Sequence, residues 1–72
     1  MTYYPNPVEN ILTLNMPQGD NYIVVYGIEG EIISKMKVSQ QNYQFDMSKF
    51  EKGMYLFKVV NDNRLKVFKV VK

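Results

Sequence analysis

The sequence predicts an all-β fold, a small antiparallel β-sandwich or barrel of six to seven short strands. Three observations carry that reading. Apolar and polar residues alternate at period two along most of the chain. Turn signals rich in Gly, Pro, Asn and Asp recur about every eight to twelve residues. No segment with a 3.6-residue period is long enough to serve as the crossover helix of a βαβ unit.

Tyr3-Tyr4 is short enough to be only a marginal first strand. Ile11 to Met16 alternates, with Leu12, Leu14 and Met16 on one face. Pro17-Gln18-Gly19-Asp20 is a turn. Tyr22-Ile23-Val24-Val25-Tyr26 is β-branched and aromatic throughout, as a central strand is. Gly27-Ile28-Glu29-Gly30 reads as a tight hairpin connection, with Gly30 at positive φ. In the return strand, Ile32 to Val38, Lys35 and Lys37 alternate with Met36 and Val38.

After the polar turn Ser39-Gln40-Gln41-Asn42 comes a short strand with Tyr43 and Phe45 on one face. Asp46 to Gly53 predicts a single helical turn: Asp46 caps it, Met47 and Phe50 face inward, and Gly53 ends it in a left-handed conformation. Met54 to Val60 is the strongest strand, and Tyr55, Phe57 and Val59 form its core-facing set. Asn61-Asp62-Asn63 tolerates positive φ and turns the chain into a last strand, Leu65 to Val71.

A chain of 72 residues makes one domain and buries only about 60% of the surface it exposes when unfolded. Its 46% hydrophobic content and ten aromatics still suffice for a single core. With no cysteine, neither a disulfide nor a thiolate metal site can brace it. No apolar run approaches the roughly 20 residues needed to span a bilayer as a helix. The opening Met1-Thr2-Tyr3-Tyr4 lacks the basic start and apolar stretch of a signal peptide. An exported protein carrying this segment is therefore expected to be longer than the segment itself. Pro5-Asn6-Pro7 stiffens the approach to the first long strand.

Net charge is +2 but segregated. Residues 1–34 hold four acids and no base, and residues 35–72 hold all nine bases with three acids. Such asymmetry fits an anion-binding face. It also fits lysines that protect an edge strand, which is the simpler reading at low net charge.

The side chains exclude most catalysis. There is no His or Cys, so the commonest base, nucleophile and transition-metal ligands are missing. Carboxylates stand singly, and nothing in the spacing of Asp46, Glu51 and Asp62 forces two together across a cleft. The four glycines sit singly at turns and make no phosphate loop. Asn61-Asp62-Asn63 lacks the full ligand series of a calcium loop. Phe57, Lys58, Arg64, Lys66 and Phe68 come closest to a stacking platform for single-stranded nucleic acid. Phe57, however, falls in register with the core set. Neither an enzyme nor a nucleic-acid binder is expected, and no cofactor.

The order of short motifs goes further. Tyr4-Pro5-Asn6-Pro7 is followed by an alternating strand, and Val24-Val25-Tyr26 leads through Gly27 to Gly30 into Glu31-Ile32-Ile33. Gly53-Met54-Tyr55 then opens a strand, and the chain closes on the lysine-spaced Lys66-Val67-Phe68-Lys69-Val70-Val71-Lys72. From Tyr4 to Lys72 this resembles the type A C-terminal sorting domain of the type IX (Por) secretion system of Bacteroidetes. The chain departs from that pattern at Gly27, where the family usually has Asp, and at Glu31, where it usually has Arg or Lys.

The resemblance implies an Ig-like sandwich spanning residues 1–72, a single domain at the end of a larger secreted or cell-surface protein. It implies that the outer-membrane translocon reads the domain after the periplasm, and that a cell-surface sortase removes it. The domain is then a substrate and not a catalyst. The partners implied are that machinery and the parent cargo domain. The sorting-signal candidates are Pro5, Asn6, Pro7, Gly53, Tyr55, Lys69 and Lys72. Each also has a plain structural role open to it: stiffening, a positive-φ stop, core packing or edge protection. An accessory Ig-like or fibronectin-like binding module of a secreted enzyme or adhesin is the alternative. Val67 and Val71 fall out of register with Phe68 and Val70, so one set faces outward and favours weak dimers through an edge strand.

Overall fold

The alternation read from the sequence becomes seven strands in a computed structural model that describes residues 1–72. They are β1 (Thr2–Tyr4), β2 (Ile11–Asn15), β3 (Asn21–Tyr26), β4 (Ile32–Val38), β5 (Asn42–Asp46), β6 (Met54–Asn61) and β7 (Arg64–Val71). They form two antiparallel sheets, β1-β2-β5 and β4-β3-β6-β7. The fold is an all-β sandwich, Ig-like in that the chain crosses between two sheets after β2, β4 and β5, with the fourth strand paired to the third rather than to the fifth.

One side chain in two from each strand fills the space between the sheets. Leu12 and Leu14 of β2 meet Ile23 and Val25 of β3, Phe57 and Val59 of β6, and Phe68 and Val70 of β7, all buried. Aromatic rings tie the layers together. Phe57 packs edge-on against Phe45 of β5 and stacks on Phe68. Phe68 in turn stacks on Tyr3 of β1, with ring centroids 4.0 Å apart, so the short first strand closes one flank of the sandwich. Burial of Phe57 and Phe68 removes the two rings that a nucleic-acid stacking platform on β6 and β7 would need.

The predicted helical turn after β5 does not form. Phe50 N–H bonds back to Met47 C=O, three residues away, and Asp46 accepts from Ser48 N–H with its carboxylate. The segment is an Asx turn followed by a tight turn, because eight residues cannot repay the cost of nucleating a helix. Met47 and Phe50 nevertheless pack inward as expected. Gly53 has φ +155°, positive but well away from the left-handed helical value, since there is no helix for it to end. Gly30 at +90° and Asp62 at +52° take the positive φ expected of their turns. Several boundaries also move: Asn42 and Asn61, read as turn residues, belong to β5 and β6, Asn21 and Arg64 open β3 and β7 one residue early, and β2 ends at Asn15.

Candidate functional site

Strand β7 lies at the edge of the four-stranded sheet and pairs with β6 from Met54↔Val71 to Asn61↔Arg64. An edge strand leaves the backbone groups of every second residue without a ladder partner. In β7 these are the odd-numbered residues, because Lys69 C=O and both polar groups of Val71 bond outward, away from β6.

The partners at that end come from the segment that joins β1 to β2. The carboxamide of Asn6 donates to Lys69 C=O at 3.2 Å and accepts from Val71 N–H at 3.0 Å. Val8 N–H donates to Val71 C=O at 2.8 Å, and the Val8 side chain is buried beneath. Asn6 thus imitates one residue of an eighth strand. Pro5 and Pro7 flank it, each preceded by a cis peptide bond. Neither has an N–H, so neither competes for those acceptors. The rest of the edge, at Leu65, Val67 and the N–H of Lys69, stays open.

The other candidates gather at the same end. Gly53 pairs with Lys72 through the backbone, continuing the β6–β7 ladder by one residue. Tyr55, opposite Val70, packs its ring against Phe50 and donates its hydroxyl to Glu51 C=O. The Lys72 ammonium reaches across to Phe50 C=O at 2.7 Å and Ser48 C=O at 3.2 Å. Lys72 therefore braces the turn after β5 and is not a free edge charge. Lys69 points the opposite way. It lines a groove of ≈ 380 Å³ on the outer surface of the four-stranded sheet with Tyr26, Ile28, Met54 and Leu56. The two lysines do not form one cationic feature.

Asp46, beside this end, is held below the ordinary aspartate value. The backbone N–H of Ser48 is the main cause, helped by the Ser48 hydroxyl and by nearby Lys49 and Lys72.

Residues 2–72 match the sequence profile of the secretion system C-terminal sorting domain. The chain belongs to that family. No curated protein and no solved structure matches it. The sorting domain is the C-terminal secretion signal of the type IX system, and it implies a parent cargo and an encounter with the secretion machinery. A protein carrying it is exported to the cell surface or secreted. The family is not catalytic.

Gly27 and Glu31 of this sorting domain are neighbours in space. Glu31 folds its carboxylate over Gly27, into the space where a β-carbon at residue 27 would stand, and accepts from Glu29 N–H. The exposed end of the Glu31 side chain occupies the space left open at Gly27.

Sequence reasoning missed one cluster entirely. Asn21 and Asn61 are the only two buried polar residues, and they bond to each other at 3.1 Å. Asn61 also donates to Gln18 C=O, and Asn21 to Pro17 C=O and Gly19 C=O. The pair fastens the β2–β3 turn to the β6–β7 turn. In sequence Asn61 reads as a turn former and Asn21 stands between a turn and a strand, where Asn is common for other reasons.

Proposed function

We infer that the machinery recognises the folded domain at the end of β7, and that the open part of that edge receives a strand from the outer-membrane translocon or its shuttle by β-augmentation. The observation that carries this is the half-closed edge. Asn6 and Val8 cover Lys69 to Val71, while Leu65 and Val67 keep outward backbone groups beside exposed side chains. Pro5, Asn6, Pro7, Gly53, Tyr55 and Lys72 build and hold that end. Lys69, beside the open stretch, aids encounter through its charge. The parent protein passes through the periplasm, and a cell-surface sortase then removes the domain. The domain is the substrate of that step and performs no chemistry itself. The same open edge joins two copies weakly at high concentration.

Deleting residues 65–72 does not test this, because it removes Phe68 and Val70 from the core. A proline at residue 67 does. The N–H of Val67 points away from β6, so Val67→Pro spares the ladder and blocks strand addition. In a cargo reporter bearing the domain, expressed in a strain with a type IX system, Val67→Pro should lower surface or medium levels about tenfold or more. Its β-sheet circular dichroism should persist. Wild-type levels from a folded Val67→Pro domain would overturn edge pairing.

A further inference from the structure

The two outer surfaces of the sandwich differ in a way that the fold does not require. An antiparallel sheet with one face in the core normally turns polar residues to water. The β1-β2-β5 sheet largely obeys, showing Thr13, Asn15, Asn42 and Gln44, with Asn15 bonded to both Thr2 and Asn42; Tyr4 and Ile11 are its exposed apolar side chains. The β4-β3-β6-β7 sheet does not. Its registered rows cross the surface as Tyr26, Leu56, Lys69, then Lys35, Val24, Lys58, Val67, then Lys37, Tyr22, Val60, Leu65. Tyr22 is 51% exposed, Leu56 40%, Val67 46% and Leu65 62%. Strand β3 is apolar or aromatic on both faces between Tyr22 and Tyr26, and β6 is so from Met54 to Val60 except at Lys58, close to the pattern of strands covered on both sides.

The charge on this surface has one sign. Four lysines point outward from the rows and no carboxylate does. Only Lys37 has an acid nearby, Asp20 at 3.9 Å at the rim, and both side chains are more than half exposed, so the pair neutralises little. Lys58 lies 5.8 Å from the centre of the Tyr26 ring, which keeps its ammonium beside the apolar rows.

We propose that this outer face of β4-β3-β6-β7 is a second docking surface, and that its occupant is an acidic, apolar protein surface of the secretion machinery. Exposed contiguous apolar patches mark interaction sites, and the uncompensated lysines select a partner of opposite sign. A second copy is disfavoured face to face, since lysine would meet lysine. A nucleic-acid backbone would satisfy the lysines but leave Leu56, Val60, Leu65 and Val67 without a role. The inference rests on the reading that the machinery recognises the folded domain, but it concerns a face and not the edge.

The test uses the same cargo reporter with four changes. Leu56→Glu places a charge in the apolar rows. A triple Gln replacement of Lys35, Lys37 and Lys58, which leaves Lys69 at the edge untouched, removes the attraction and keeps the fold. Gln44→Glu on the opposite sheet is the control. Benzoylphenylalanine at position 56 captures the neighbour. Leu56→Glu and the triple variant should each lower export about tenfold, with melting temperatures near wild type, while Gln44→Glu exports normally. The crosslink should map to a carboxylate-rich protein segment. Normal export of either folded variant overturns the proposal, as does a crosslink to lipid, nucleic acid or a second copy. If the wild-type reporter stays inside the cell, the sorting reading itself has failed. If only Val67→Pro fails, recognition runs through the edge alone.

Discussion

Gly53 and Lys72 exchange two backbone hydrogen bonds, with Gly53 N–H donating at 3.0 Å and Lys72 N–H returning at 2.8 Å. This pair extends the β6–β7 ladder to the point where the Lys72 ammonium braces the turn after β5. Two residues about twenty apart in sequence, each looking like an isolated motif element, are one structural unit.

Gly53→Ala should therefore destabilise through conformation alone. Nothing lies within 4 Å of where the added carbon would stand, so no clash contributes. The φ of +155° is the obstacle. Holding a non-glycine residue there costs about 1–3 kcal/mol. For a domain of this size that lowers the melting temperature by about 5 °C or more. Lys72→Met keeps the backbone pair and loses only the contacts to two carbonyls, so its cost should stay below about 1 kcal/mol. Thermal melts followed by circular dichroism rank the two, and equal losses would contradict this assignment.

The Asn21–Asn61 pair should matter more than its polar character implies. Every buried side-chain N and O has a partner. Asn61→Ala would strand the Asn21 carbonyl and the Gln18 backbone carbonyl at once. Leaving buried polar groups without partners costs about 2–3 kcal/mol. Urea unfolding should show that loss, with faster amide exchange in both the β2–β3 and β6–β7 turns.

Asp46 predicts a pH dependence of known sign. Its folded-state pKa lies below the ordinary aspartate value of about 3.9. The stability it contributes is present above that ordinary value and is lost as pH falls through the folded one. Asp46→Asn cannot titrate, so the acid side of its stability curve should be shallower than that of the wild type. Carboxyl chemical shifts followed by NMR would give the titration directly, and an Asp46 midpoint at or above the ordinary value would contradict the hydrogen-bond geometry.

Much of this molecule was legible because period-two patterning is a local signal. Leu12 and Leu14, Ile23 and Val25, and Phe57 and Val59 are each two residues apart and share one face of a strand. The clasp was not legible. Asn6 meets Lys69 and Val71 across more than sixty residues, and no spacing rule predicts which side chain will mimic a strand. The family resemblance named Asn6 and Lys69 but could not show that one bonds to the other. The helical turn failed for the opposite reason. Asp46 and Gly53 carry real capping signals, but the same residues satisfy an Asx turn and an extended pair with Lys72 equally well. Gly27 and Glu31 look independent in sequence and are in contact in space.

The clasp makes a prediction that separates guarding from building. Asn6→Ala frees the Lys69 carbonyl and the Val71 N–H while Val8 stays bonded to the Val71 carbonyl. Stability should fall by only about 1 kcal/mol, because both freed groups lie at the surface and gain water. The open edge, however, then runs from Leu65 to the N–H of Val71, and longer unpaired edges recruit other chains. Light scattering over a wide concentration range should show weak dimerisation of the wild type, shifted about tenfold or more to lower concentration by Asn6→Ala. Adding Val67→Pro should reverse the shift, since it blocks the stretch that Asn6 never covered. If Asn6→Ala lowers stability but leaves self-association unchanged, Asn6 only builds the end of β7 and does not guard it.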